Sequence, residues 1–279
     1  MIRSAFLSIF ILLWGGCTTI PSLTERQNTL DSIAANHHLQ SNIISTTRFP
    51  LYALSDTYEC ENRQMRVYIE GDGFAWVTRS RLSDDPTPIN PVAAKLMSID
   101  PSHCKMYLAR PCQYTRAAGC KSDYWDTRRF SSEVVESYGE ALRNIKQDFH
   151  NTSFSLIGYS GGGAIAALTA AKRKDVTELI TVAGNIDTDG WIKYHSLSPL
   201  EGSLNPADEF QSLSELPQIH FIGGKDSVIP WEMYENYKRR MERSVNLKAV
   251  ICEECTHTQG WIERWPEYLR QLPTQDTQK

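Results

Sequence analysis

The sequence predicts an α/β domain built on a mostly parallel, doubly wound sheet with helices on both faces. Three observations carry that prediction. Short β-rich runs alternate with helical patterns about five times, a glycine-rich turn joins one such run to an alanine-rich helix, and 279 residues, 41% of them hydrophobic, supply one large core. The β-rich runs are 65–70, 106–109, 153–157, 178–182, 218–222 and 247–251, each bounded by Gly, Pro or charge. Helical patterns fill 92–97, 131–149, 162–172, 231–243 and 261–272. The stretch 186–217, rich in Ser, Pro, Leu and Trp and without clean periodicity, reads as a small insertion before the strand at 218–222. In such sheets ligands sit beyond the carboxyl ends of the strands, so the loops following the strands hold the candidate site.

Residues 1–16 place one cation, Arg3, before an apolar run from Ala5 to Trp14, the pattern of a secretory leader. The run is short for a bilayer of about 30 Å, and no second apolar stretch of about 20 residues follows it. Gly15 and Gly16 stand directly before Cys17, which resembles the lipobox of bacterial lipoproteins, with Trp14 where that family usually has Leu. The resemblance implies cleavage before Cys17 and acylation of that residue, which would tie the protein to a membrane. Thr18 in place of Asp implies, by the same resemblance, the outer membrane within the bacterial cell envelope. A plainly cleaved secretory leader is the alternative. After the 1–16 leader, residues 17–47 are expected to form a tether and lead-in with one weak helical segment (Leu23, Leu30, Ile33), and 48–279 a single domain.

The balance of 29 Lys plus Arg against 33 Asp plus Glu contains no basic block, so nucleic acid is not an expected partner. Setting Cys17 aside leaves Cys60, Cys104, Cys112, Cys120, Cys252 and Cys255, an even number that in an exported protein points to disulfides. Six cysteines allow 15 pairings; Cys252 with Cys255 and Cys112 with Cys120 close the shortest loops. Zinc ligation or redox chemistry by the C-x-x-C at 252–255 is the rival reading, although no second pair of ligand-spaced residues accompanies it.

The run 153–157 leads into Gly158-Tyr159-Ser160-Gly161-Gly162 and then an alanine-rich helix, a G-x-S-x-G in its strand–turn–helix setting. A tight turn of this kind exposes Ser160 at its tip and places it at a helix amino terminus, where developing negative charge is favoured. A serine hydroxyl needs a base held in one tautomer by an acid. The run 218–222 is followed by Asp226, and 247–251 by His257, so acid and base each lie just past a strand. Asp187 and Asp189, after the preceding strand, are rival acids. Of the other histidines, His37, His38, His103 and His150 lie in lead-in or connecting segments, His220 lies inside a strand, and His195 falls in the insertion. Two donors to an oxyanion are expected. One is the Gly161 N–H; the other is expected from the loop after 65–70, with the N–H groups of Asp72 and Gly73 as the candidates.

The order Ser160, Asp226, His257 is similar to that of the α/β-hydrolases. The loop 70–74 resembles their HGGG-type oxyanion loop, with Glu70 in place of His and Asp72 in place of Gly. More narrowly, the segments 68–73 (YIEGDG), 108–114 (LARPCQY), 124–130 (YWDTRRF), 158–163 (GYSGGG), 182–187 (VAGNID) and 202–208 (GSLNPAD) resemble uncharacterised proteobacterial lipoprotein hydrolases. The resemblance implies an α/β-hydrolase fold and supports the catalytic assignment without naming a substrate; a serine hydrolase acting on a small carboxylic ester or related acyl substrate, without cofactor or metal, is the expectation. Tyr159, Phe74, Arg110, Gln113, Tyr114, Asn185 and Asp187 are expected near the pocket or as loop braces. Peptidase, thioesterase and acyltransferase chemistry would use the same parts, and a non-catalytic envelope lipoprotein retaining the fold is the alternative of another class.

Overall fold

A computed structural model describes residues 19–241 and 246–273; the expected leader and Cys17 lie outside the described residues. The elements in chain order are α1 (Leu23–Asn36), β1 (Gln40–Ile44), β2 (Leu51–Asp56), β3 (Gln64–Ile69), β4 (Trp76–Thr78), β5 (Arg81–Leu82), α2 (Val92–Ser98) and β6 (Lys105–Leu108). They continue with α3 (Ser132–Phe149), β7 (Ser153–Tyr159), α4 (Gly161–Ala170), β8 (Val176–Val182), α5 (Thr188–His195) and α6 (Phe210–Leu213). The chain closes with β9 (Gln218–Gly223), α7 (Trp231–Arg240), β10 (Leu247–Cys252) and α8 (Trp261–Leu269). The main sheet has eight strands in the order β1-β2-β6-β3-β7-β8-β9-β10, and β4 and β5 form a separate small hairpin. From β6 to β10 every pairing is parallel; β1 and β2 join antiparallel at one edge.

The central strands are apolar on both faces because both faces are covered. Val67, Ile69 and Leu156 point into a cluster with Val134, Tyr138 and Leu142 of α3 and Ile165 of α4. Their neighbours Tyr68 and Ile157 point the other way, against Leu30 of α1, Val92 and Leu96 of α2 and Trp261 and Trp265 of α8. Helix α3 shows how sequence sets such a layer: Val134, Tyr138, Ala141 and Ile145 recur every three or four residues and are buried, while His150 ends the helix in a left-handed conformation (φ 53°). The stretch expected as an insertion carries α5, a 3-10 turn and α6 between β8 and β9.

The sheet takes in more of the chain than its hydrophobic pattern announces. The stretch expected as a tether and lead-in contributes α1 and β1, and β2 follows immediately. Strand β1 lies at the sheet edge, and its Gln40, Ser41, Asn42 and Ile43 are exposed, so the alternation that marks a half-buried strand is missing. Helix α1 starts with a capping box: the Ser22 hydroxyl accepts the Glu25 N–H and the Glu25 carboxylate accepts the Ser22 N–H. It buries Leu30 and Ala34, and its buried Arg26 donates to the Thr87 carbonyl at 2.6 Å. This packing makes Leu30→Ala costly, by about 2–5 kcal/mol in urea unfolding; a change under about 0.5 kcal/mol would return α1 to the status of a tether.

Candidate active site

Every strand that feeds the site ends at the same edge of the sheet, and the loops that follow converge there. Strand β7 runs into Ser160, which adopts φ 52° and ψ −123°, a conformation that L-residues rarely hold. Two glycines make the turn possible. A Cβ on Gly158 would sit 2.3 Å from the Gly162 carbonyl oxygen, and one on Gly162 would sit 2.3 Å from the Ile69 carbonyl oxygen. The turn is tied down from both sides: Ser160 N–H donates to Val182 O, and its carbonyl accepts from Gly163 and Asn185. The Ser160 side chain is thereby pushed clear of the sheet at the start of α4.

Ser160 Oγ lies 2.9 Å from His257 Nε2, and His257 Nδ1 lies 2.9 Å from Asp226 Oδ2. The other Asp226 oxygen accepts the N–H groups of Val228 and Ile229, so this fully buried carboxylate is satisfied on both sides. The structure therefore joins Ser160, Asp226 and His257 in one chain of hydrogen bonds. It does not bring the rival acids there. Asp187 caps α5 by accepting the Gly190 N–H, and Asp189 accepts from Asn205. His220 is buried against the Thr181 hydroxyl, and burial pushes its imidazole down to about 3. His195 bonds to the Val228 carbonyl, two residues beyond Asp226.

The histidine loop is held by contacts the sequence did not reveal. The Tyr159 hydroxyl and the Trp261 indole N–H both donate to the His257 carbonyl, at 3.0 and 3.1 Å. The six paired cysteines form Cys60–Cys104, Cys112–Cys120 and Cys252–Cys255, so the two thiols of the C-x-x-C are joined to each other instead of being directed at a metal. Gly224 N–H donates to the Cys252 carbonyl and Lys225 N–H to that of Cys255. The bridged turn thus sets the loop bearing Asp226 against the loop bearing His257.

A cleft of about 220 Å³ opens over Ser160 and His257, lined also by Tyr159, Glu70, Gly71, Asp72, Gly73 and Phe74, with Pro88 and Ile89 opposite. The expected donor loop is therefore at the site. Gly161, Asp72 and Gly73 N–H groups have no partner among the described residues, whereas Gly71 N–H is taken by Glu70 Oε1 at 2.9 Å. Asp72 does not turn its carboxylate to a substrate; Arg110 and Arg129 hold its two oxygens at 2.8 Å each. Burial alone would raise this carboxyl, but Arg129 and Arg110 outweigh it and hold it below the usual carboxylate range. Of the two readings open for Arg110 and Tyr114, pocket lining or loop brace, the geometry favours the brace. Arg110 is buried as the Asp72 partner and Tyr114 packs on Tyr52, and neither is among the residues lining the cleft. Asp187 likewise stays with α5, outside the cleft lining.

Glu70 is the residue whose electrostatics the sequence left open. It is buried with no cation beside it, its Oε1 accepting from Gly71 and Ala93, and burial pushes its carboxyl from 4.5 up to about 7. The native state then binds a proton that the unfolded chain releases near pH 4.5. The contribution of Glu70 to stability is complete below that pH and is lost as pH rises through about 7. Glu70→Gln keeps the acceptor for Gly71 and removes the titration. The variant should gain on the order of 3 kcal/mol over wild type between pH 5 and pH 8 in denaturant unfolding; a pH-independent difference would contradict the raised carboxyl.

No protein-family model matches the chain, and no curated protein matches its sequence. Solved structures match its shape. The esterase Pf2001 of Pyrococcus furiosus superposes with a TM-score of 0.62 at 10% identity, over 85% of this chain and 92% of that one. Est1E of Butyrivibrio proteoclasticus gives 0.58 at 14% identity, over 83% and 96%. The acylaminoacyl peptidase of Pyrococcus horikoshii gives 0.61 at 11% identity, over 86% of this chain but 42% of the peptidase. At such identities the likeness is one of architecture. Together with the eight-stranded, mostly parallel sheet covered on both faces, it gives this chain the α/β-hydrolase fold.

Proposed function

We propose that the protein is a serine hydrolase acting on a small carboxylic ester, with Ser160, His257 and Asp226 as its catalytic residues. The observation that carries the reading is the unbroken hydrogen-bond chain from Ser160 Oγ through His257 to the buried Asp226, at the foot of an open cleft. Ser160 Oγ attacks the ester carbonyl as His257 Nε2 takes its proton. Asp226 holds the Nδ1–H tautomer and stabilises the imidazolium. The carbonyl oxygen becomes an oxyanion that the Gly161 N–H and the donor loop receive. His257 returns the proton to the leaving alkoxide, an acyl-enzyme remains on Ser160, and a water activated by the same imidazole releases the acid. The cleft encloses about 220 Å³, less than the roughly 300–1,000 Å³ that buries a drug-sized ligand, and its apolar walls at Phe74, Pro88, Ile89 and Tyr159 suit a short acyl chain. Two of the three superposed structures are described as esterases, which favours ester over peptide.

A fluorophosphonate should label the purified protein and fail to label Ser160→Ala; an equal label on both would sink the reading. In the same preparation, kcat on p-nitrophenyl acetate and butyrate should fall by about 10³–10⁴ in Asp226→Asn. Asp187→Asn should stay within about twofold, because an asparagine still caps α5. Octanoate should be turned over at least about tenfold less efficiently than butyrate if the acyl pocket is short.

We further propose that the protein is exported and anchored through lipid on Cys17 in the bacterial cell envelope. Support comes from the leader pattern before Cys17 and from three disulfides, which persist in oxidising compartments. Expression in a Gram-negative host with labelled palmitate should give a labelled, membrane-bound protein, and Cys17→Ser should release it unlabelled; an unlabelled wild type would refute the anchor.

A further inference from the structure

Gln113 lies fully buried beneath the donor loop, outside the cleft, and both ends of its amide are engaged. Its Nε2 donates to the Gly71 carbonyl at 3.0 Å and its Oε1 accepts the Arg110 N–H at 3.0 Å. A carbonyl on one side and an N–H on the other leave the amide one orientation. The segment that presents it is built for the purpose. Cys112 and Tyr114, its two neighbours, hold left-handed backbone at φ 69° and 57°, and the Cys112–Cys120 bridge closes the loop. The Tyr114 N–H is bonded to the Thr87 hydroxyl, which fixes the far end.

The consequence lies in the peptide that Gln113 grips. The Gly71 carbonyl and the Asp72 N–H belong to one planar trans unit, since the described chain contains no cis peptide, and in such a unit C=O and N–H point in opposite directions. Drawing the carbonyl down to the buried Gln113 turns the N–H up, to the side where Asp72 lines the cleft with Ser160 and His257. The Asp72 carboxylate is held by Arg110 and Arg129, and the Asp72 N–H itself has no partner among the described residues. Gly71 N–H is already given to Glu70, and Gly73 has no comparable tie on the peptide carrying its N–H.

We propose that Gln113 is a positioning residue for the oxyanion site: by holding the Gly71–Asp72 peptide it makes the Asp72 N–H, rather than that of Gly71 or Gly73, the donor that acts with Gly161. The proposal rests on the serine-hydrolase reading above. Gln113→Met tests it, because the thioether fills similar space and cannot donate to Gly71, and Gln113→Glu tests it at pH values where the buried carboxyl is ionised and the donor is replaced by a negative charge. In either variant kcat on p-nitrophenyl butyrate should fall about 10- to 100-fold, with KM within about twofold and fluorophosphonate labelling slowed in parallel. Gln113→Glu reads the same loss if the methionine variant does not fold. In isotope-labelled wild type, the Asp72 and Gly161 amide protons should shift downfield when Ser160 is phosphonylated, and that of Gly71 should not. Unlabelled wild-type protein would remove the underlying reading and this inference with it. Labelling of wild type together with undiminished kcat in a folded Gln113 variant, a loss confined to KM, or a shift at Gly73 instead of Asp72 would overturn the inference while leaving the hydrolase reading intact.

Discussion

The whole arrangement depends on one strained turn. Ser160 sits at φ 52° between the central strand β7 and α4, a conformation that costs about 1–3 kcal/mol and persists only where the surroundings over-determine it. Here they do. The backbone of Ser160 is hydrogen-bonded to Val182, Gly163 and Asn185, and the bare Cα atoms of Gly158 and Gly162 let α4 approach β7 and β3 more closely than any side chain would allow. With that turn in place the serine hydroxyl has one direction in which to project, and the remaining loops are arranged around it.

Two buried polar systems do the arranging, one on each side of Ser160. On one side, the Cys252–Cys255 turn accepts from the loop bearing Asp226 while Tyr159 and Trp261 hold the His257 carbonyl. On the other, Arg110, Arg129, Gln113 and Glu70 grip the loop 70–73. Burying guanidinium and carboxylate groups is expensive unless each is paired, and removing one partner typically costs more than the pair contributes. Such networks are poor sources of stability but effective at holding one geometry. Here the pairs hold a loop that carries N–H groups without a partner among the described residues into a cleft.

Much of this was legible in the chain. Six strands (β3 and β6 to β10) and five of the seven described helices between 92 and 272 (α2, α3, α4, α7 and α8) follow from apolar runs and helical spacing, and strands covered on both faces are the most plainly written of these. Ser160, Asp226 and His257 were each found just past a strand, and the fold brings them together. The elements that escaped detection have identifiable reasons. Strand β1 is an exposed edge with polar side chains, and α1, whose weak helical pattern at Leu23, Leu30 and Ile33 is visible, gives no sign of its packing on the sheet because it buries only a narrow stripe. Asp226 and Asp187 are both aspartates following strands, and nothing in their local sequence tells the buried partner of His257 from a helix cap.

The sequence by itself determined the architecture, the serine at its tight turn and the set of candidate partners, since these rest on periodicity, glycine placement and order along the chain, all of them local. Only the tertiary structure decided which of the candidates do which work. Arg110, Tyr114 and Asp187 left the cleft, Asp72 became the anchored end of a guanidinium pair, and Glu70 turned out to be a buried carboxyl without a cation. Those assignments depend on which way a side chain points across loops 30 or more residues apart, as Asp72 and Arg110 are. Distance along the chain carries no record of that direction; packing does.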